Sequence, residues 1–189
     1  CRTSLVTAMT DTAHPTLTPR PGILGIAPYV GGESGAPGAN RAIKLSANEN
    51  PHGPNPAAID AYRAAADSLA LYPDGGAVHL RETIAAAEGL DPARIVCGAG
   101  SDEIIALLVR AYAGPGDEVL HSRHGFLMYS LSAQAAGATP VAAAESDLMA
   151  DVDALLAACT ERTRLVFVAN PNNPTGTLLP ASEVVRLAE

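Results

Sequence analysis

Residues 98–103, with the sequence GAGSDE, combine small and polar residue types that suit phosphate binding. Small residues let a backbone turn tightly and approach a ligand. The helix that we predict to follow would offer free N–H groups at the positive end of its dipole. Because Asp102 and Glu103 would repel a phosphate dianion, we expect such contacts to come from the main chain. The residues alone leave a second interpretation open, in which Ser101 only caps the helix.

Residues 170–176, with the sequence NPNNPTG, form the second segment that suits ligand binding. They directly follow the apolar run RLVFVA, which predicts a buried strand. Two prolines constrain the turn, and the asparagine amides present hydrogen-bond donors at the carboxyl end of that strand. A binding turn and a merely rigid turn both remain open. Neither this segment nor GAGSDE has the glycine and lysine positions of a nucleotide-binding loop.

Other reactive residue types give weaker signals. His121 and His124 lie in a strand-to-loop segment without a carboxylate neighbour in sequence, so we predict no metal site there. Ser122 lacks a histidine and aspartate arrangement, which disfavours a hydrolase. Arg123 follows a predicted strand end and is interpreted as a loop residue near a ligand or in solvent. The chain has a single lysine, Lys44, which we interpret as a solvated or strand-edge residue.

The elements that position these residues alternate between strands and helices, which predicts an α/β fold with a mainly parallel sheet flanked by helices. In such sheets, ligands bind at the carboxyl ends of the strands. The run RLVFVA is apolar enough to predict burial on both faces. The predicted strands are 94–98, 118–122, 139–143 and 164–169, and the predicted helices are 54–70, 77–88, 101–113, 126–136, 151–159 and a last one from about 180. In the helix at 101–113 we predict a buried stripe of Ile104, Leu107, Leu108 and Ala111.

Composition excludes several classes of protein. The 189 residues carry 20 acidic and 12 basic side chains, and a net charge of -8 disfavours nucleic-acid binding. No apolar run approaches the roughly 20 residues of a membrane span. Three widely spaced cysteines exclude a disulfide scaffold and a cysteine-rich zinc site, and they favour a cytoplasmic location. Because the chain starts at Cys1 and stops within a predicted helix, we interpret it as a fragment of a longer protein.

Six motifs in order resemble the fold-type I pyridoxal-phosphate-dependent aminotransferases, and among these the histidinol-phosphate aminotransferase family. The similarity runs from about Pro19 to Glu189. Residues 1–45, which are rich in proline, glycine, threonine and serine, are predicted to form an extended amino-terminal arm, partly disordered. The resemblance implies that residues 46–189 are the amino-terminal portion of an incomplete cofactor-binding large domain. The motifs are APY (27–29), KLSANENP (44–51), YPDGG (72–76), GAGSDE, GFLMY (125–129) and NPNNPTG.

The resemblance implies a reaction and a cofactor, pyridoxal 5'-phosphate. The family interconverts histidinol phosphate and 2-oxoglutarate with imidazole-acetol phosphate and glutamate, as a cytoplasmic homodimer. Its lysine that bonds to the cofactor, and its substrate-binding arginines, lie beyond the NPNNPTG motif. This chain therefore supplies no catalytic residue, and we expect it to be inactive alone. Another fold-type I enzyme (an aminotransferase for a different amino acid, or a decarboxylase of a phosphorylated one) and a non-catalytic remnant remain alternatives.

The resemblance also implies a role for individual residues. The backbone of Gly100, Ser101 and Asp102 would hold the cofactor phosphate, and Phe126 would stack on the pyridine ring. Asn173 would donate to the phenolate oxygen of the cofactor. Tyr72 would reach the phosphate bound in the neighbouring subunit, and Tyr29 and Asn48 would lie beside the substrate. Tyr129, three residues after Phe126, is predicted to pack in the core.

Overall fold

The computed structural model describes residues 18–27, 44–45 and 47–189. Contacts divide the chain into two compact units. Of the described residues, the first unit contains 18–27 and 105–189, and the second contains 44–45 and 47–104. Most of the predicted arm, including Tyr29, lies outside the described residues. Within the part that is described, no helix has the length and apolar character needed to cross a membrane.

Two helices of the second unit confirm the sequence prediction. Helix α1 (Pro56–Ala64) begins after Asn55, whose side chain accepts a hydrogen bond from the Ala57 N–H, and it continues as a 3₁₀ turn over Ala65–Ser68. Helix α2 (Val78–Glu88) ends at Gly89, which has the left-handed conformation that favours glycine. The Asp74 carboxylate of the YPDGG turn accepts from the N–H groups of Gly76 and Val78, and these bonds fix the entry into α2.

The strand predicted at 94–98 is wrong. A 3₁₀ turn occupies Pro92–Arg94, and residues 95–98 follow in no regular element. Ile95 and Cys97 are half-buried whereas Val96 is 79% exposed, so the side chains alternate as they would in a strand. No strand among the described residues pairs with them. Alternating apolar residues predict an extended backbone, but they do not predict the neighbouring strand with which that backbone would have to pair.

The first unit contains a parallel three-stranded sheet flanked by helices, which confirms the predicted fold class. Its elements and their bounds run along the chain as helix α3 (Gly100–Tyr112, which starts in the second unit), β1 (Glu118–Ser122), α4 (Met128–Ala136), β2 (Thr139–Ala143), the short hairpin β3 (Glu145–Ser146) and β4 (Met149–Ala150), α5 (Val152–Ala158), β5 (Thr163–Phe167) and α6 (Ala181–Ala188). The strand order is β2-β1-β5, and both pairings are parallel.

The core lies on both faces of the central strand β1, whose five residues are all buried. Successive side chains of a strand point to opposite faces. Val119 accordingly belongs to a cluster with residues of α3 and α4, and Leu120 belongs to a second cluster with residues of α5. This arrangement brings the carboxyl ends of β1, β2 and β5 to one edge of the sheet.

Two predictions about burial are wrong, although the elements themselves are confirmed. Strand β5 is not buried on both faces: it lies at the edge of the sheet, its residues alternate between half-buried and exposed, and Val166 is 37% exposed. The buried residues of α3 are Ile105 and Val109, whereas the predicted Leu107 and Leu108 are exposed. Helix α3 is apolar on most of its faces. The spacing of its apolar residues therefore fits two different buried stripes and does not distinguish between them.

Candidate active site

The loop after β1 is held by a carboxylate from the neighbouring hairpin. Glu145, in β3, accepts hydrogen bonds from the His124 main-chain N–H and from His124 Nδ1, each at 2.7 Å. Arg123 N–H donates to the Ala143 carbonyl at the end of β2. Burial by itself raises the pKa of the Glu145 carboxyl, but the hydrogen bonds from His124 outweigh it and hold the pKa below 4.5. The carboxylate partner was missed in the sequence because it lies 21 residues from His124.

Asn172 joins the NPNNPTG turn to the same loop. Its side chain is buried, and Nδ2 donates to the His124 carbonyl at 3.2 Å and to Thr175 Oγ1 at 2.8 Å. Its main-chain N–H donates to the Thr177 carbonyl, and its carbonyl accepts from the Gly176 N–H. Asn172 Oδ1 is buried and has no partner among the described residues. The resemblance implies a role for the next asparagine, Asn173. The hydrogen bond from Asn172 to His124 was therefore not predicted.

Asn170 also has a structural role in this turn. Its side-chain oxygen accepts from the Leu179 N–H at 2.7 Å, and its Nδ2 donates to the Leu179 carbonyl at 3.1 Å. These two hydrogen bonds connect the start of the NPNNPTG turn to the segment that leads into α6. The side chains of Asn170 and Asn172 thus form hydrogen bonds within the protein that support the turn, and the ligand contact implied for Asn173 stays a prediction.

Phe126 and Asn173 lie on two loops that the structure brings together. The hydrogen bond between Asn172 and His124 joins these loops, and both Phe126 and Asn173 are half-buried. The Phe126 ring meets Tyr129 edge-on, with ring centroids 5.9 Å apart, and Tyr129 stacks on Phe167 at 4.8 Å. Tyr129 is buried in the core, which confirms its predicted packing role, and burial raises the pKa of its phenol.

The GAGSDE segment forms a tight turn at the start of α3. Gly100 has φ +84°, which favours glycine, and its N–H donates to the Gly98 carbonyl. A Cβ on Gly98 would lie 2.8 Å from Ile104 Cδ1, so a larger residue there would have to displace the end of the Ile104 side chain. Glu103 turns back and accepts from the Ala99 N–H at 2.7 Å. This bond from an acidic side chain back to the N–H before the helix is a helix-capping contact.

Gly100, Ser101 and Asp102 are all exposed at the beginning of α3. The helix starts at Gly100, so Ser101 lies in its first turn rather than at the capping position before it. Exposure leaves the first-turn backbone accessible to a ligand, whereas Asp102 adds negative charge beside it.

The remaining predicted site residues of the second unit lie at its surface. Tyr72 is fully exposed, and Asn48 is exposed. Lys44 Nζ forms an ion pair with Glu49 at 2.9 Å, in agreement with the interpretation of Lys44 as a surface residue. Over the part of the chain that is described, no group of three histidine, cysteine, aspartate or glutamate side chains could hold a metal ion.

Comparison with known proteins assigns the family. The family model for class I and II aminotransferases matches residues 40–189, which is most of the chain. The chain belongs to the class I and II aminotransferase family.

Members of this family are similar to the chain at high sequence identity. A histidinol-phosphate aminotransferase of Paramagnetospirillum magneticum is 64% identical over 89% of this chain, and one of Rhodospirillum centenum is 61% identical over 89%. These matches cover 47% of each relative, so the chain spans about half the length of the curated relatives it matches.

The fold is similar to that of solved aminotransferases. The crystal structure of histidinol-phosphate aminotransferase from Sinorhizobium meliloti, in complex with pyridoxal-5'-phosphate, superposes with a TM-score of 0.72 at 34% identity. The superposition covers 75% of this chain and 39% of the solved one. The parallel sheet with flanking helices is thus the fold of this aminotransferase family, present here in part.

Proposed function

We propose that this chain forms the amino-terminal half of a pyridoxal-phosphate-dependent aminotransferase that interconverts histidinol phosphate and 2-oxoglutarate with imidazole-acetol phosphate and glutamate. The observation that carries the proposal is identity of 61–64% with histidinol-phosphate aminotransferases over 89% of the chain. We further propose that the enzyme acts as a cytoplasmic homodimer, with residues 1–45 as an arm and residues 46–189 as part of the large domain.

The residues present fit the cofactor. The first-turn backbone of α3 is exposed, and free N–H groups at a helix start are the kind of donor that binds a phosphate. The backbone of Gly100, Ser101 and Asp102 would hold that phosphate, and Tyr72 would reach the one bound in a second subunit. The full exposure of the Tyr72 side chain in this chain supports a contact made to a partner.

Phe126 and Asn173 would orient the cofactor ring. The half-buried Phe126 ring would stack on the flat cofactor ring; its neighbour Tyr129 packs perpendicular to it and not face to face. The Asn173 amide would donate to the ring's phenolate oxygen and stabilise its negative charge. When bound, pyridoxal phosphate supplies an electron sink for the substrate carbon that gains or loses the amino group.

The substrate and the proton transfers would depend on residues of both halves. Tyr29 and Asn48 would lie beside the substrate. The single lysine of this chain, Lys44, is paired with Glu49, so we expect the lysine that bonds to the cofactor to come from the other half. Residues 1–189 alone should therefore transfer no amino group.

A chimera tests this proposal. Residues 1–189 are joined to the carboxyl-terminal half of the Paramagnetospirillum magneticum relative, and amino transfer from glutamate to imidazole-acetol phosphate is measured. We expect turnover in the chimera and none in residues 1–189 alone. Replacing Asn173 with Ala should lower kcat by about 100-fold, the usual scale for one lost donor to a developing charge. The control Asn55→Ala removes a surface helix cap and should leave the rate within about 3-fold of the parent.

Two results would contradict the proposal. Turnover with a different 2-oxo acid, and none with imidazole-acetol phosphate, would assign the chain to another aminotransferase. A folded chimera that binds pyridoxal phosphate but shows no turnover with any acceptor would favour a non-catalytic remnant.

A further inference from the structure

Glu145 lies outside the residues implied by the family resemblance, yet it contacts the loop that carries Phe126. We infer that Glu145 is a positioning residue, which holds His124 and thereby fixes the loop of residues 123–126 against the NPNNPTG turn. The hydrogen bonds between Glu145 and His124 are seen in the structure itself. Their effect on the orientation of the cofactor rests on the proposed function.

The geometry of the contact restrains both the backbone and the side chain of His124. One Glu145 oxygen accepts from the main-chain N–H at 2.7 Å, and the other lies 2.7 Å from Nδ1. A carboxylate that binds two donors of one residue fixes its orientation as well as its position. Phe126 is two residues further along, so its ring direction depends on how this short loop leaves β1.

Burial strengthens the contact. The Glu145 side chain is only 4% exposed, whereas the His124 side chain is 51% exposed. A buried carboxylate is stable only when its oxygens are hydrogen-bonded, and here His124 fills that requirement. The lowered pKa of Glu145 is consistent with a carboxylate that stays ionised at neutral pH.

The contact is part of a series of hydrogen bonds at the carboxyl edge of the sheet, which the backbone of residues 145–148 closes into a ring. His124 accepts from Asn172, which donates also to Thr175. Thr175 and Thr177 share a hydroxyl hydrogen bond at 2.8 Å, and Thr177 Oγ1 donates to the Leu148 carbonyl. Leu148 lies in the turn of the hairpin whose first residue is Glu145, so the ring returns to its start. A closed ring resists the displacement of any one loop more than a single bond does.

Hydrogen exchange on the full 189-residue chain tests the inference directly. The Glu145→Ala variant should speed exchange of the His124 amide at least about 10-fold, because its acceptor is lost. The Glu145→Gln variant keeps a neutral oxygen acceptor and should show a smaller increase, of about 2- to 5-fold. The amide of Leu120, in the centre of β1, should be unchanged in both variants, and Glu161→Gln, at an exposed position, serves as the matched control.

A second readout separates positioning from stability. In the chimera, visible circular dichroism of bound pyridoxal phosphate reports ring orientation at saturating cofactor. We expect a weaker band in Glu145→Ala, partial recovery in Glu145→Gln and the parent band in Glu161→Gln. Unchanged exchange at His124 in both Glu145 variants, or an equal rise at Leu120, would overturn the inference. If the parent chimera shows no amino transfer while His124 exchange responds as expected, the proposed function fails and the positioning role of Glu145 stands.

Discussion

Buried acidic and amide side chains of the first unit form hydrogen bonds that connect segments distant in sequence. Glu118, at the start of β1, accepts from Thr160 Oγ1 at 2.6 Å and from Arg162 Nε at 3.0 Å, and so joins β1 to the turn before β5. Asn172 and Glu145 do the same at the opposite end of the sheet. Buried polar groups are tolerated because these partners replace water.

Glu118 should make stability depend on pH. The hydrogen bond from Thr160, and then that from Arg162, hold the pKa of Glu118 below its ordinary value of 4.5. A lowered pKa in the folded state stabilises the fold above the unfolded pKa, and this contribution is lost as pH falls through the folded value. In urea unfolding from pH 7 to pH 3, the parent should be more stable than Glu118→Gln at neutral pH. The difference should shrink below about pH 4.5. A difference that is constant over the whole range would contradict this.

At the residue scale, the sequence allowed the motif residues to be named but not their partners. The GAGSDE and NPNNPTG segments are local patterns: the structure puts NPNNPTG after β5 and GAGSDE at the start of α3, as expected, but the strand expected before GAGSDE is absent from the described residues. The bonds from Glu145 to His124 and from Asn172 to His124 join residues 21 and 48 positions apart. Such pairs depend on how the strands align, and no spacing along the chain encodes them.

The elements show a similar division between local and non-local information. Strands β1 and β2 have the predicted bounds, and α4 ends at Gly137, because alternation and a left-handed glycine are local signals. The predictions that failed needed knowledge of a neighbour. Residues 95–98 have no partner strand among those described, and β5 is an edge strand, since a sheet position is set by pairing and not by hydropathy.

Substitutions in α3 can verify which of its faces is buried. Val109 is fully buried in the cluster formed with β1 and α4, whereas Leu108 is 38% exposed. Val109→Ala should lower the free energy of unfolding by about 2–3 kcal/mol, from lost burial and a cavity. Leu108→Ala should cost less than about 1 kcal/mol, since its side chain already contacts solvent. Urea denaturation of both variants measures how much free energy of unfolding each one loses. A larger loss for Leu108→Ala would contradict the structure and favour the buried stripe predicted from periodicity.

At the scale of the whole molecule, several large apolar side chains of the described residues are exposed to solvent. Leu69, Leu71 and Tyr72 are each at least 74% exposed, and in the first unit Leu107 and Tyr112 of α3 are 45% and 63% exposed. Large exposed apolar patches mark surfaces that bind another polypeptide. The relatives are about twice as long as this chain, and under the proposed function the other half of the enzyme and a second subunit would cover these residues.

The 189-residue chain alone should therefore associate into species of mixed size, whereas the chimera should form one defined species, the proposed homodimer. Exposed leucine and tyrosine side chains lower their free energy by burial, at roughly 25 cal/mol per Å² of apolar surface. We expect the isolated chain to bind an apolar fluorescent dye and to form concentration-dependent species in sedimentation velocity. The chimera should bind several-fold less dye per chain and sediment as one species, because the added half covers apolar surface that the isolated chain leaves in contact with water. A cooperative thermal melt of the isolated chain as a dye-free monomer would show instead that its two units are stable without further cover.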